Sequence, residues 1–84
     1  MKVNKILREQ ILQIIDNQIR QNDPAETRIT HDRLTQMGFS DVETKQLIGQ
    51  CVMVELFEVM KYLKPFNEAR YIKNLRNLPN EPSE

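Results

Sequence analysis

Few residues in this chain have the types and spacing to do chemistry. Among 84 residues there is one histidine and one cysteine, His31 and Cys51. A metal site needs several Cys, His or carboxylate ligands at set spacings, and the chain has no C-x-x-C and no H-x-x-x-H. His31 and Asp32 are adjacent, which does not place both side chains on one helix face. A Cys51–His31 dyad would need a tertiary contact and a stabilised thiolate, and Glu55, four residues beyond Cys51, opposes that thiolate by its charge. No nucleophile, base or phosphate loop is spelled out. No enzyme activity, cofactor or metal is therefore expected.

Glu55 is the one acid in an unusual place. With residues set at 100° intervals and Ile48 at zero, Glu55 falls at about −20°, amid Ile48, Cys51, Val52, Val59 and Tyr62. A carboxylate there is costly to bury unless it is paired or protonated. Two readings follow. The preferred one is a structural Glu55 bonded to a tyrosine, an arginine or backbone, with Tyr71 and Arg70 as candidates. The other is a functional carboxylate lining a pocket, since perturbed acids cluster at sites. Glu58, at about −80°, is expected to reach solvent.

The element that positions Glu55 is a long helix over 40–63. Ser40-Asp41-Val42-Glu43 has the spacing of a capping box, and Asp41 and Glu43 suit the positive end of the helix dipole. Gly38 fits the left-handed end of a preceding helix. Lys61 and Lys64 suit the carboxyl end, and Pro65 stops the helix after about 36 Å. Its first apolar face holds Ile48, Cys51, Val52, Val59, Tyr62 and Leu63. Val42, Met53, Phe57 and Met60 form a second, between about 120° and 180°. Two apolar faces need two covers. One is the chain's own core; the other is a second copy of the chain or another protein. Gly49 marks either a close helix approach or a bend.

The remaining segments read as helices that pack on this one. Residues 2–22 carry a wide stripe of Val3, Leu7, Ile11, Ile14, Ile15 and Ile19, with Leu12 just beyond and Ile6 to one side. The stripe has no aromatic residue and no strong basic face opposite, so membrane binding is not expected. Asp23 can cap a helix over 24–37, with Pro24 in its first position and Ala25, Ile29, Leu34 and Met37 facing inward. That helix could instead begin near Thr30. Asn67 caps a fourth helix over 67–78, with Phe66 and Tyr71 at hydrophobic-staple spacing and Tyr71, Ile72, Leu75 and Leu78 as its apolar face. The tail 79–84 is polar, has two prolines and is expected to be disordered.

Composition limits the function classes. Twelve basic and twelve acidic residues cancel, which argues against a nucleic-acid binder relying on net positive charge. A helix-turn-helix reading of 30–47 fails because its second helix would begin with Asp41 and Glu43, which repel phosphate. Arg70, Lys73 and Arg76 make a basic strip best read as a solvated face. One cysteine excludes an intrachain disulfide. No apolar run reaches the length of a membrane span, and the first residues do not read as a signal peptide. The expectation is a single cytoplasmic domain over 1–78, all-α, a compact bundle of four helices around a long central third helix.

Two resemblances add to this. Leu34-Thr35-Gln36-Met37-Gly38-Phe39-Ser40 resembles the loop of ubiquitin-associated domains, where a Met-Gly-Phe turn joins two helices and meets ubiquitin. Residues 48–54 lack the polar turn with which such a domain continues. Over 30–79, the pattern of Leu34, Gly38-Phe39-Ser40, Glu43, Leu47-Ile48, Glu55, Phe66-Asn67-Glu68, Tyr71 and Leu75 through Leu78-Pro79 resembles a group of small, uncharacterised bacterial helical proteins. That resemblance implies a bacterial helical protein and no mechanism. The functional expectation is a small non-enzymatic protein acting through association, as a homodimer. The alternative is a monomeric module with a Met-rich groove for a partner. A third reading is a ligand-binding protein or enzyme using Glu55.

Overall fold

The capping box at Ser40 sets the start of the central helix. In the computed structural model, which describes residues 2–82 and side chains from Lys5 onward, the Glu43 N–H donates to Ser40 Oγ at 3.1 Å and the Ser40 N–H donates to Glu43 Oε1 at 2.9 Å. Four helices follow one another: α1 (Lys2–Gln21), α2 (Ala25–Gln36), α3 (Asp41–Tyr62) and α4 (Glu68–Asn77). There is no strand among the described residues. The fold is all-α, and α3 is its longest helix and its centre. Helices α1, α2 and α4 all pack on α3, and α2 also packs on α1 and α4. Val3, placed in the first stripe by its spacing, and Ser83 and Glu84 of the tail lie outside the described side chains and residues.

The junctions follow local chemistry. Helix α1 ends with Asn22 in the left-handed region at φ 54°, and the N–H groups of Asn22 and Asp23 return to the carbonyls of Ile19 and Gln18. This is a Schellman closure with asparagine in the place glycine usually takes. It corrects the start of α2. Asp23 was expected to cap it, but its N–H closes α1 instead, and Pro24 is itself the N-cap, extended at ψ 150° with no side-chain cap bond. Gly38 takes φ 108° between α2 and α3, a conformation that disfavours any side chain. Asn67 caps α4 by accepting from the Arg70 N–H at 3.0 Å. The Phe66 and Tyr71 rings meet edge to face at 5.3 Å, completing the staple.

The core is Ile11, Ile15, Leu34, Ile48, Cys51, Val52, Tyr71, Leu75 and Leu78. Gly49 is a close-approach glycine: a Cβ there would lie 3.2 Å from Ile11 Cγ2. Two expectations change. Ile29 and Met37 are exposed, and Thr27 and Thr30 join Leu34 in facing the core. The Thr27 hydroxyl is accommodated because it donates to Gln18 Oε1 at 2.7 Å, the atom to which the Tyr71 hydroxyl also donates at 2.7 Å. Tyr62 and Leu63 share the angle of the core face yet are exposed. Helix α4 meets α3 at the level of Glu55, so the last turn of α3 runs past its cover. Leu78 is buried, as its place on the apolar face of the fourth helix indicated, and the Asn80 N–H donates to the Asn77 carbonyl at 2.9 Å.

Candidate functional site

Two features stand out on α3: a buried ion pair on its inner side and an apolar groove on its outer side. Glu55 is fully buried. Its Oε1 accepts from the Asn67 N–H at 2.9 Å and from Arg70 Nη2 at 2.9 Å, while Oε2 accepts from Arg70 Nε. The pairing is bidentate, the strongest geometry available to a carboxylate and a guanidinium. Burial alone would push the Glu55 carboxyl up. The Arg70 hydrogen bonds, the Asn67 N–H and the Arg70 charge together outweigh it, and the net direction is down from the ordinary 4.5. Glu58, one turn on, was expected in solvent. Its side chain is largely covered, with Oε1 3.8 Å from Arg70 Nη1, because one guanidinium lies between the two carboxylates.

Helix α4 is thus held at both ends by arginines. Arg70 fixes its first turn to α3. Arg33 of α2 donates to the carbonyls of Leu75 and Leu78 at 3.0 and 2.8 Å, satisfying groups that the helix end leaves open. Both oxygens of Glu55 are engaged, and Glu55 lines none of the cavities described below. Its chemistry is that of a fixed anion.

The outer side of α3 faces solvent beside α1. Val42, Met53, Phe57 and Met60 are all exposed, Met60 at 74%. Met53, Phe57 and Met60 are brought together with Leu7 of α1 and Leu56 around a hollow of about 270 Å³, with Lys61 at its edge. The Lys61 ammonium lies 5.1 Å from the centre of the Phe57 ring, within cation–π range. A second hollow of about 210 Å³ continues the groove past Met53 to Leu12, Gly49 and Ile11. Val42 is not part of it. It lies eleven residues before Met53, about 16 Å along the helix, and Lys45 and Gln46 come between. Leu7 and Leu56 were not among the candidates. Leu56, at about 80° on the wheel, sits between the two apolar faces, and that position was its signal.

Lys45 closes the upper end of the groove. Its ammonium bridges Asp16 of α1 at 3.0 Å and Asp41 at 3.3 Å, and His31 Nε2 lies 2.8 Å from the other Asp41 oxygen. One polar chain therefore ties α1, α2 and α3. The Asp16 hydrogen bond leads in raising the Lys45 pKa, and the His31 hydrogen bond leads in lowering that of Asp41. His31 is engaged here and not with Cys51. Burial pushes the Cys51 thiol up to about 12, and its S–H points to the Leu47 carbonyl. Such a thiol is inert at neutral pH. Among the described residues no group of three His, Cys, Asp or Glu could hold a metal ion, and no helix is long and apolar enough to cross a membrane. Thr44 Oγ1 is a buried hydroxyl with no hydrogen-bond partner among the described residues.

No protein-family model, curated protein or solved structure matches this chain.

Proposed function

We propose that this protein is a small, non-enzymatic, cytoplasmic bacterial protein that acts by association, and that its unit is a homodimer formed through the α1–α3 groove. The observation that carries this reading is the apolar strip of Met53, Phe57 and Met60 beside Leu7 and Leu56, half exposed around a hollow. Clustered apolar surface of this kind marks an interaction site more often than scattered single residues do.

Self-association is favoured by geometry. A two-fold interface uses one patch twice, so the patch must complement itself. Phe57 is half exposed at the hollow it lines, so in a two-fold pairing the Phe57 ring of each copy would seat against the hollow of the other. Antiparallel pairing of α3 about Phe57 would set Lys61 of one copy opposite Met53 of the other, and Lys64 opposite Gln50. No like charges oppose along the helix, and the lysine stems cover methionine. A specific interface of about 1,000 Å² needs roughly 500 Å² from each copy, about a twelfth of the 5872 Å² surface. A chain of this length also gains core from a partner. The lone, buried Cys51 suits a reducing compartment.

Light scattering over a range of concentrations tests this. The expected mass is twice the 10.0 kDa chain, and Phe57→Glu should give the single-chain mass with unchanged helicity, since Phe57 is exposed in the isolated chain. A monomeric parent at high concentration refutes the homodimer. So does a Phe57→Glu variant that keeps the parent's mass and stability.

A further inference from the structure

We infer that a second cleft, which meets the groove at Leu56, binds a small organic cation: an ammonium or guanidinium carried on an apolar body. The cleft is the largest cavity described, about 480 Å³, within the range of small-molecule sites. Ile14, Leu56, Phe66 and Tyr71 make its apolar floor and walls, and Asp23 and Glu68 are the charged residues that line it. Four elements meet there: α1, the turn at 22–24, α3 and the first turn of α4. This does not depend on the homodimer.

The charge asymmetry gives the ligand class. Both lining charges are acidic and exposed. Neither makes an ion pair among the described residues, whereas Asp16, Asp41, Glu26 and Glu55 each face a cation. A ligand cation would supply the missing partner. Its apolar body would lie on Phe66, which is partly exposed at 39%, and whose ring is held edge-on by Tyr71. Aromatic rings beside carboxylates attract cations by both their quadrupole and the nearby charge. The floor is rigid. Gln18 Oε1 accepts from both Thr27 and Tyr71, so the base of the cleft is fixed before any ligand arrives. A preformed recess of this size suits a free small molecule more than the flat, extended contact of a protein partner.

The test is a titration of the full chain, followed by two-dimensional amide NMR, with n-butylguanidinium, n-butylammonium and neutral n-pentanol as probes. The expected result is saturable shifts at Gln18, Asp23, Glu68 and Tyr71 with the two cations and none with pentanol. Asp23→Asn with Glu68→Gln should weaken the cations about tenfold, and added salt should weaken them too. The unfolding midpoint of each variant is checked first. If the double variant is less stable, Asp23→Asn alone, in a turn, provides the comparison. Pentanol binding as well as the cations, or cation binding untouched by the carboxylate changes, overturns the inference. Tighter binding of an arginine-containing peptide than of butylguanidinium would overturn the small-molecule assignment and make the cleft a peptide site.

Discussion

Replacing Arg70 with methionine isolates the value of the buried pair. Methionine keeps the apolar stem and removes the guanidinium from Glu55, which is fully buried. Removing one partner of a buried pair costs about 3–5 kcal/mol because the other charge is left uncompensated. The lower end applies here. The Asn67 N–H still donates to Oε1, and the Arg70 side chain is 24% exposed, so water reaches part of the site. A loss of about 3 kcal/mol near neutral pH is expected, which for a domain of this length lowers the thermal midpoint by roughly 12–24 °C. The pH dependence carries a second signature. In the parent, the folded Glu55 pKa lies below 4.5. Its stabilisation is present above that value and is lost as pH falls through the folded pKa. In the variant the two Arg70 effects vanish and burial dominates, so the folded pKa moves above the ordinary value. The variant then regains relative stability as pH falls, and the gap between the two proteins narrows toward acid. Urea unfolding followed by far-ultraviolet circular dichroism at several pH values measures both effects. Adding Glu55→Met should restore all but about 1 kcal/mol, the residue being the orphaned Asn67 N–H. An Arg70→Met variant within about 0.5 kcal/mol of the parent, with an unchanged pH profile, would refute the reasoning.

Other positions give further tests. Thr44→Val removes a buried hydroxyl without a partner and should raise stability by about 1 kcal/mol in the same unfolding assay; destabilisation would mean that the hydroxyl is satisfied. Gly49→Leu drives a side chain into Ile11, where even a Cβ would sit at 3.2 Å, and should cost about 1–3 kcal/mol; a neutral result would mean that α1 does not pack closely there. Ionisation of Cys51 and Tyr71 is disfavoured in the fold, with both pKa values raised to about 12 from 9.0 and 10.0. Their contribution is therefore complete below about pH 9 and lost as pH rises toward 12. Midpoints measured across that range should fall, and a thiol reagent at neutral pH should label Cys51 only as fast as the bundle opens.

How much of this was legible depended on range along the chain. The Ser40–Glu43 box, the Asn67 cap and the Phe66–Tyr71 staple each involve residues three to five apart, and their spacing alone indicated them. The burial of Glu55 was legible from its angle on the helix, and Arg70 was among its candidate partners. Thr27 and Thr30 were not legible as core, because burying a threonine hydroxyl is costly unless a partner satisfies it, and such a partner can lie far along the chain. Thr27 finds its partners in Gln18 and Tyr71, nine and forty-four residues away. Tyr62 and Leu63 had the right angle but lay beyond the reach of α4, a fact about where α4 docks and not about α3. The outer face of α3 could be drawn from the sequence. Its division, with Met53, Phe57 and Met60 in the groove and Val42 apart, needed the position of Leu7 on α1.

The threonine-lined inner face of α2 has a thermal consequence. Among the described residues, five buried polar side chains, three of them threonines, stand beside nine buried apolar ones. On unfolding, exposed apolar surface raises the heat capacity and exposed polar surface lowers it. This core should therefore fall below the usual increment of about 12–15 cal/mol/K per residue. A smaller increment flattens the curve of stability against temperature. The bundle would then lose less of its stability on cooling than a bundle of equal size closed by leucine alone, and its margin would change little over a wide span of temperature.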